Sequence, residues 1–130
     1  MHPVLSQETI ARIAREEQHF ARAPEAFFQA WKRGVTLIGP EWFGDGTDEG
    51  LRRATCKVEL RPNLPRMIDA LNILNHGEGL FLSAMVSFYN AAEGTALLRR
   101  CAYEGLSDLN ELDLAQRQVI ADLLLNHQGW

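Results

Sequence analysis

Residues 79–90, GLFLSAMVSFYN, are apolar on nearly every side. A helix with no polar face has to be enclosed by its neighbours, so this segment predicts a central, buried helix around which the chain is organised. One stripe of it is relieved by small or polar residues, Ser83, Ser87, Asn90 and Gly94, at spacings of four, three and four. Small residues in such a row let a second helix approach closely. The apolar run from Leu80 to Tyr89 is interrupted by serines and is too short to span a bilayer, so no membrane partner is expected.

The flanking sequence supplies helices to surround it. Ser6 reads as an N-cap, with Leu5 and Ile10 at staple positions, and Ile10, Ile13, Glu17 and Phe20 then follow helical spacing. Pro24 suits the first turn of a second helix carrying Phe27, Trp31, Val35 and Ile38, closed by Gly39-Pro40. Gly34 leaves a short strand at residues 35–38 as an alternative. Residues 39–50, GPEWFGDGTDEG, with four glycines and a proline, read as a loop. Residues 51–60 fit a helix starting near Thr47 or, by the alternation of Ala54, Cys56, Val58 and Leu60, a strand; the absence of a second convincing strand favours helix.

Further on, Asn63 to His76 reads as a helix with Pro65 in its first turn, stopped by Gly77, and residues 91–103 as another, with Gly94 marking a bend or break. Asp113 with Gln116 forms a capping pair for a last helix, whose buried face is Ala115, Val119 and Leu123 joined by Leu112, Ile120 and Leu124. The fold class is therefore all-α: one domain over residues 1–130, an irregular bundle of five or six helices around the apolar helix at 79–90. The expected core comprises Ile13, Phe20, Phe27, Trp31, Leu71, Leu74, Phe81, Met85, Phe88, Leu97, Val119 and Leu123. A chain of 130 residues has the size for this, since folding buries about two-thirds of the surface of a chain this long.

Composition bears mainly on partners. The formal charge is −4, and Lys32 and Lys57 are the only lysines beside abundant arginine, a usage that fits a GC-rich bacterial coding sequence. Net negative charge argues against nucleic acid, whose binding depends on neutralised phosphates. The arginine and lysine pairs at 32–33, 52–53 and 99–100 lie among acidic residues and read as solvated surface. A DNA-associated regulator would need Arg52, Arg53, Arg99 and Arg100 joined in one face. The two cysteines, Cys56 and Cys101, have no metal-ligand spacing, and the N-terminus lacks a signal-peptide pattern, so two free thiols in a reducing cytoplasm are expected.

Chemistry-bearing patterns are sparse. Glu16 and His19 form a single E-x-x-H, where a di-iron bundle needs two and further glutamates. Residues 45–50, DGTDEG, place oxygen groups as a calcium loop would, but the twelfth position is Cys56 rather than glutamate. No nucleophile elbow, phosphate-binding loop or dinucleotide fingerprint occurs. No metal, cofactor or catalytic residue is therefore assigned. Cys56 or Cys101 would act as a nucleophile only with His19, His76 or His127 folded against it.

Two sets of residues remain as candidates. Trp42 and Phe43 in the glycine-rich loop, and Trp130 at the end, are either plugs on the core or exposed contact anchors for a partner. His76, Glu78 and Tyr89 are candidate polar groups of a pocket among the helices. The leading expectation is a non-catalytic protein-interaction module of adaptor, inhibitor or immunity type, with a protein partner, basic in character, or a second copy forming a homodimer. The alternative is a small-molecule-binding or enzymatic helical domain, marked by two or more of His76, Glu78 and Tyr89 in one cavity.

Overall fold

The computed structural model describes residues 4–130. Its elements are α1 (Gln7–Ile38), a 3₁₀ turn (Pro40–Trp42), α2 (Asp48–Arg53), a second 3₁₀ turn (Lys57–Leu60), α3 (Leu64–Ala70), α4 (His76–Tyr89), α5 (Ala91–Arg100), a third 3₁₀ turn (Leu106–Glu111) and α6 (Leu114–Asn126). Among the described residues there is no strand, only an isolated antiparallel bridge between Phe43 and Pro62. The fold is an all-α bundle, as the periodicity requires. Residues 51–60 are neither the strand nor the single helix expected: α2 stops at Arg53, and a 3₁₀ turn follows.

The buried helix at the centre is α4. Leu80, Phe81, Leu82, Met85 and Val86 are wholly enclosed by α1, α5 and α6. Its small stripe does receive a helix at close range, and that helix is α5. A β-carbon added at Gly94 would stand 2.4 Å from the Ser87 Cα and 2.6 Å from its backbone nitrogen. Further along, the Ser83 hydroxyl lies 3.5 Å from the Cys101 sulfur and donates to the Gly79 carbonyl at 2.7 Å. Gly94 therefore marks a contact inside α5 rather than a break. Asn90 makes the corner: its N–H donates to the Val86 carbonyl, closing α4, and its side chain accepts from the Glu93 N–H, opening α5.

Two expected boundaries moved. Pro24 does not begin a helix, because α1 runs through it without interruption for 32 residues. A proline in a helix interior leaves the carbonyl four residues earlier without its N–H donor. That carbonyl belongs to Phe20, and the Gln128 side-chain amide donates to it at 3.4 Å from the other end of the chain. The second correction is at residues 71–77. The helix from Asn63 ends at Ala70, and His76 opens α4 instead of closing α3. Asn75 caps α4 by accepting from the Glu78 N–H at 2.8 Å, while the Glu78 carboxylate accepts from the Asn75 N–H at 3.3 Å.

Helices α1 and α6 run antiparallel, with Gly34 against Val119 and the Arg33 guanidinium paired with Asp122. Trp31, fully buried, donates its indole N–H to the Leu60 carbonyl at 2.9 Å and so ties the second 3₁₀ turn to α1. Most of the expected core is confirmed: Phe27, Trp31, Phe81, Met85, Leu97, Val119 and Leu123 are buried, and Leu71, Leu74 and Phe88 pack on them. Ile13 and Phe20 are not core, with 38% and 48% of their surface exposed, and Leu124 is 70% exposed rather than part of α6's buried face. Ala115 is exposed as well.

Candidate functional site

Phe43 is a plug. It is 1% exposed and meets Trp31 edge to face at 5.8 Å, leaving no surface for a partner. Trp42 is half-buried against the same core, and its indole nitrogen is buried without a hydrogen-bond acceptor. Pairing of residues 42–44 with 61–63 holds the loop down, through Asn63 N–H to the Trp42 carbonyl and Gly44 N–H to the Arg61 carbonyl, each at 2.8 Å. Gly44 is required there: its φ is +58°, and a β-carbon would meet the Glu59 carbonyl oxygen at 2.3 Å.

Trp130 is docked too. Its ring lies 4.8 Å from Trp31, 4.9 Å from Tyr89 and 6.1 Å from Phe27. Lys57 closes the cluster, its ammonium 5.1 Å over the Trp130 ring and 5.3 Å over Phe27, while donating to the Gly129 carbonyl at 3.0 Å. His127 sits between Phe27 and Phe88.

The three pocket candidates are dispersed. His76 and Glu78 open α4 and Tyr89 ends it, about 20 Å away at the helical rise of 1.5 Å per residue. The Glu78 carboxylate is occupied by its capping box and Tyr89 by Trp130. Among the described residues, none of the three lines the open groove of about 850 Å³ between α1 and α6, which is bordered by Lys32, Arg33, Leu37, Ala115, Val119 and Asp122 among others.

His76 has structural work. Its Nε2 faces the Cys101 carbonyl at 2.8 Å and its Nδ1 faces the Glu111 carboxylate, so both ring nitrogens meet acceptors. Only the imidazolium form donates from both. The Cys101 carbonyl first, then Glu111, raises the His76 pKa above the usual histidine value. The ring meets the Cys101 backbone and not its sulfur, which is buried beside Ser83. His19 points its Nε2 to the Leu125 carbonyl at 2.7 Å. The Asp45 carboxylate accepts from the Thr47 hydroxyl at 2.7 Å and from its N–H at 2.9 Å, which hold its pKa low, and Thr47 caps α2. Arg52 and Arg53 both close onto Glu49, while Arg99 and Arg100 lie in the last turn of α5, which packs mainly on α4.

What sequence periodicity missed is the first half of α1. From Ala11 to Arg22 every residue is exposed, and burial begins at Ala23. The helix thus leaves the bundle, attached at its base by the His19 and Gln128 bonds, and projects as an arm of about 24 Å over residues 7–22. Its N-terminus is well made, with Ser6 accepting from the Thr9 N–H at 3.1 Å. The stripe Ile10, Ile13, Glu17 and Phe20 continues the line of Phe27, Trp31 and Val35, the core-facing side of α1, beyond the point where the bundle stops. Val4 and Leu5 add exposed apolar surface at the tip; Leu124 and Leu125, at 70% and 59% exposure, add it at the α6 end that touches His19. The chain exposes 8299 Å², against about 6,900 Å² for a compact monomer of its mass. The exposed residues of the arm contribute to this excess.

The candidate site is therefore an apolar helical surface on an all-α bundle. No protein-family profile matches the chain, and comparison with curated proteins and with solved structures gives no match.

Proposed function

We propose that the domain is a non-catalytic protein-interaction module, of the adaptor, inhibitor or immunity kind, and that the projecting half of α1 is its contact element. The observation that carries the reading is the stripe of Ile10, Ile13 and Phe20, which extends the core-facing side of α1 beyond the bundle and stays 38–48% exposed. Helices recognise protein grooves through apolar anchors repeated on one face, and Ile10, Ile13 and Phe20, at i, i+3 and i+10, share such a face with Glu17 at i+7. A helix stripe that stays apolar after leaving its own core has its natural complement in another chain. The dispersal of His76, Glu78 and Tyr89 weighs against a ligand pocket among the helices. A cytoplasmic setting belongs to this reading, and the two unpaired thiols, Cys56 exposed and Cys101 buried, suit it.

The test is an Ile13→Ser/Phe20→Ser variant, compared with wild type in affinity capture and thermal unfolding. Both side chains lie outside the core, Ile13 38% and Phe20 48% exposed, so the melting temperature is expected to stay within about 2 °C, corresponding to roughly 0.5 kcal/mol or less. A stoichiometric protein retained by wild type and lost by the variant supports the arm as contact element. Equal capture by both chains refutes it, and a drop of many degrees would mean that the arm packs on the bundle.

A further inference from the structure

We infer that the arm of α1 is built for a protein partner whose apolar trough is flanked by lysine or arginine; this rests on the arm being the contact element and adds the chemistry of what it contacts. At 100° per residue, Ile10, Ile13, Glu17 and Phe20 fall within an arc of about 80°, and Glu16 flanks it about 40° beyond Phe20. Arg12, Arg15 and Arg22 lie about 120° or more from the centre of that arc, on the back of the helix. The contact face thus carries only negative charge. Among the described residues neither Glu16 nor Glu17 forms an ion pair, and both are exposed.

This arrangement decides between occupants. When a partner covers the stripe, Glu17 loses its water and needs a cation in exchange. A second copy supplies none. Aligned antiparallel, with Ile10 on Phe20 of the second copy, each Glu17 meets Ile13 of the other; aligned parallel, Glu17 meets Glu17. In both alignments the arginines stay on the outer faces. An anionic membrane or nucleic acid is repelled by the same two carboxylates. A different protein chain with a basic residue beside its apolar trough satisfies the stripe and the carboxylates together.

Two synthetic 21-residue peptides serve as probes, both with leucine at i, i+3 and i+7 spacing, one flanked by lysines and the other by glutamates at the same positions. Each is titrated into the ¹⁵N-labelled full chain, with mass followed by sedimentation. The lysine peptide is expected to shift amide resonances at residues 10–20, to bind at least about tenfold more tightly than the glutamate peptide, and to weaken with salt. A Glu16→Lys/Glu17→Lys variant, checked for unchanged circular dichroism, is expected to reverse the preference. Unchanged preference in that variant, or shifts from the lysine peptide that fall outside the arm, overturns the inference. If neither peptide binds while Ile13→Ser/Phe20→Ser still abolishes capture of the native partner, the cationic chemistry falls and the contact element stands. Wild-type dimerisation that the same serine variant abolishes would put a second copy in the partner's place.

Discussion

Replacing Gly94 by alanine tests the packing on which the bundle's centre depends. In an ordinary exposed helix the change is favourable by about 1 kcal/mol, because glycine is the poorer helix former. Here the new methyl would stand 2.4 Å from the Ser87 Cα, more than 1 Å inside the ordinary carbon–carbon contact distance of about 3.5–4.0 Å. The atom it meets is main chain of the buried helix, which has no rotamer to turn away. Helix α5 has to lift, loosening Leu97 and Cys101 from α4. Overpacking costs about 1–3 kcal/mol, and the upper end applies to a backbone contact. Net destabilisation is then about 2 kcal/mol. For 130 residues that corresponds to a fall in Tm of about 7 °C, or to roughly 1 M in the urea midpoint. Gly105→Ala is the control, since nothing lies within 4 Å of its added carbon. Ser87→Gly in the Gly94→Ala background should not rescue, because the Ser87 Cα and nitrogen remain in the way. A Gly94→Ala protein as stable as wild type, or more stable, would refute the close approach of α4 and α5.

Other consequences can be measured with the same unfolding assay. Trp31→Phe keeps most of the ring but removes the donor to the Leu60 carbonyl; a loss of about 1–3 kcal/mol is expected, and a loss below about 0.5 kcal/mol would mean that the carbonyl finds another partner. His76 has its pKa raised in the folded protein, so its contribution to stability is complete below the unfolded value of about 6.5 and disappears as pH rises through the higher folded value. The stability gap between wild type and Glu111→Gln should therefore narrow with rising pH through that window, and the His76 titration followed by NMR should move down in the variant; a gap independent of pH would sever the link.

Much of the fold was legible because its signals are local. The enclosed helix announces itself through a run of apolar residues, and Asp113 with Gln116 reads directly as a cap. The boundary at His76 was also written locally, since Asn75 and Glu78 have capping-box spacing, but Gly77 competes with it as an apparent stop. The continuity of α1 was not legible. The carbonyl freed by Pro24 is taken by Gln128, 108 positions from Phe20 in the chain, and no local rule reaches that far. Nor was the arm. Ile13 and Phe20 have the periodicity of a buried face, and periodicity tells which side of a helix is apolar without telling whether anything lies beneath it. Trp42, Phe43 and Trp130 posed the complementary difficulty: local pattern leaves plug and contact anchor open, and only the folded chain brings Phe43 and Trp130 onto Trp31.

The docking of the last residue on Trp31 also gives the protein an optical signature. Two indole rings 4.8 Å apart and inclined at 66° have coupled electronic transitions, and the Lys57 ammonium biases the outer ring. The near-ultraviolet dichroism of this pair therefore belongs to the seated tail. If the tail lifts while the helices persist, that band fades and the far-ultraviolet spectrum does not, so two wavelengths separate the loosening of residues 127–130 from the unfolding of the bundle.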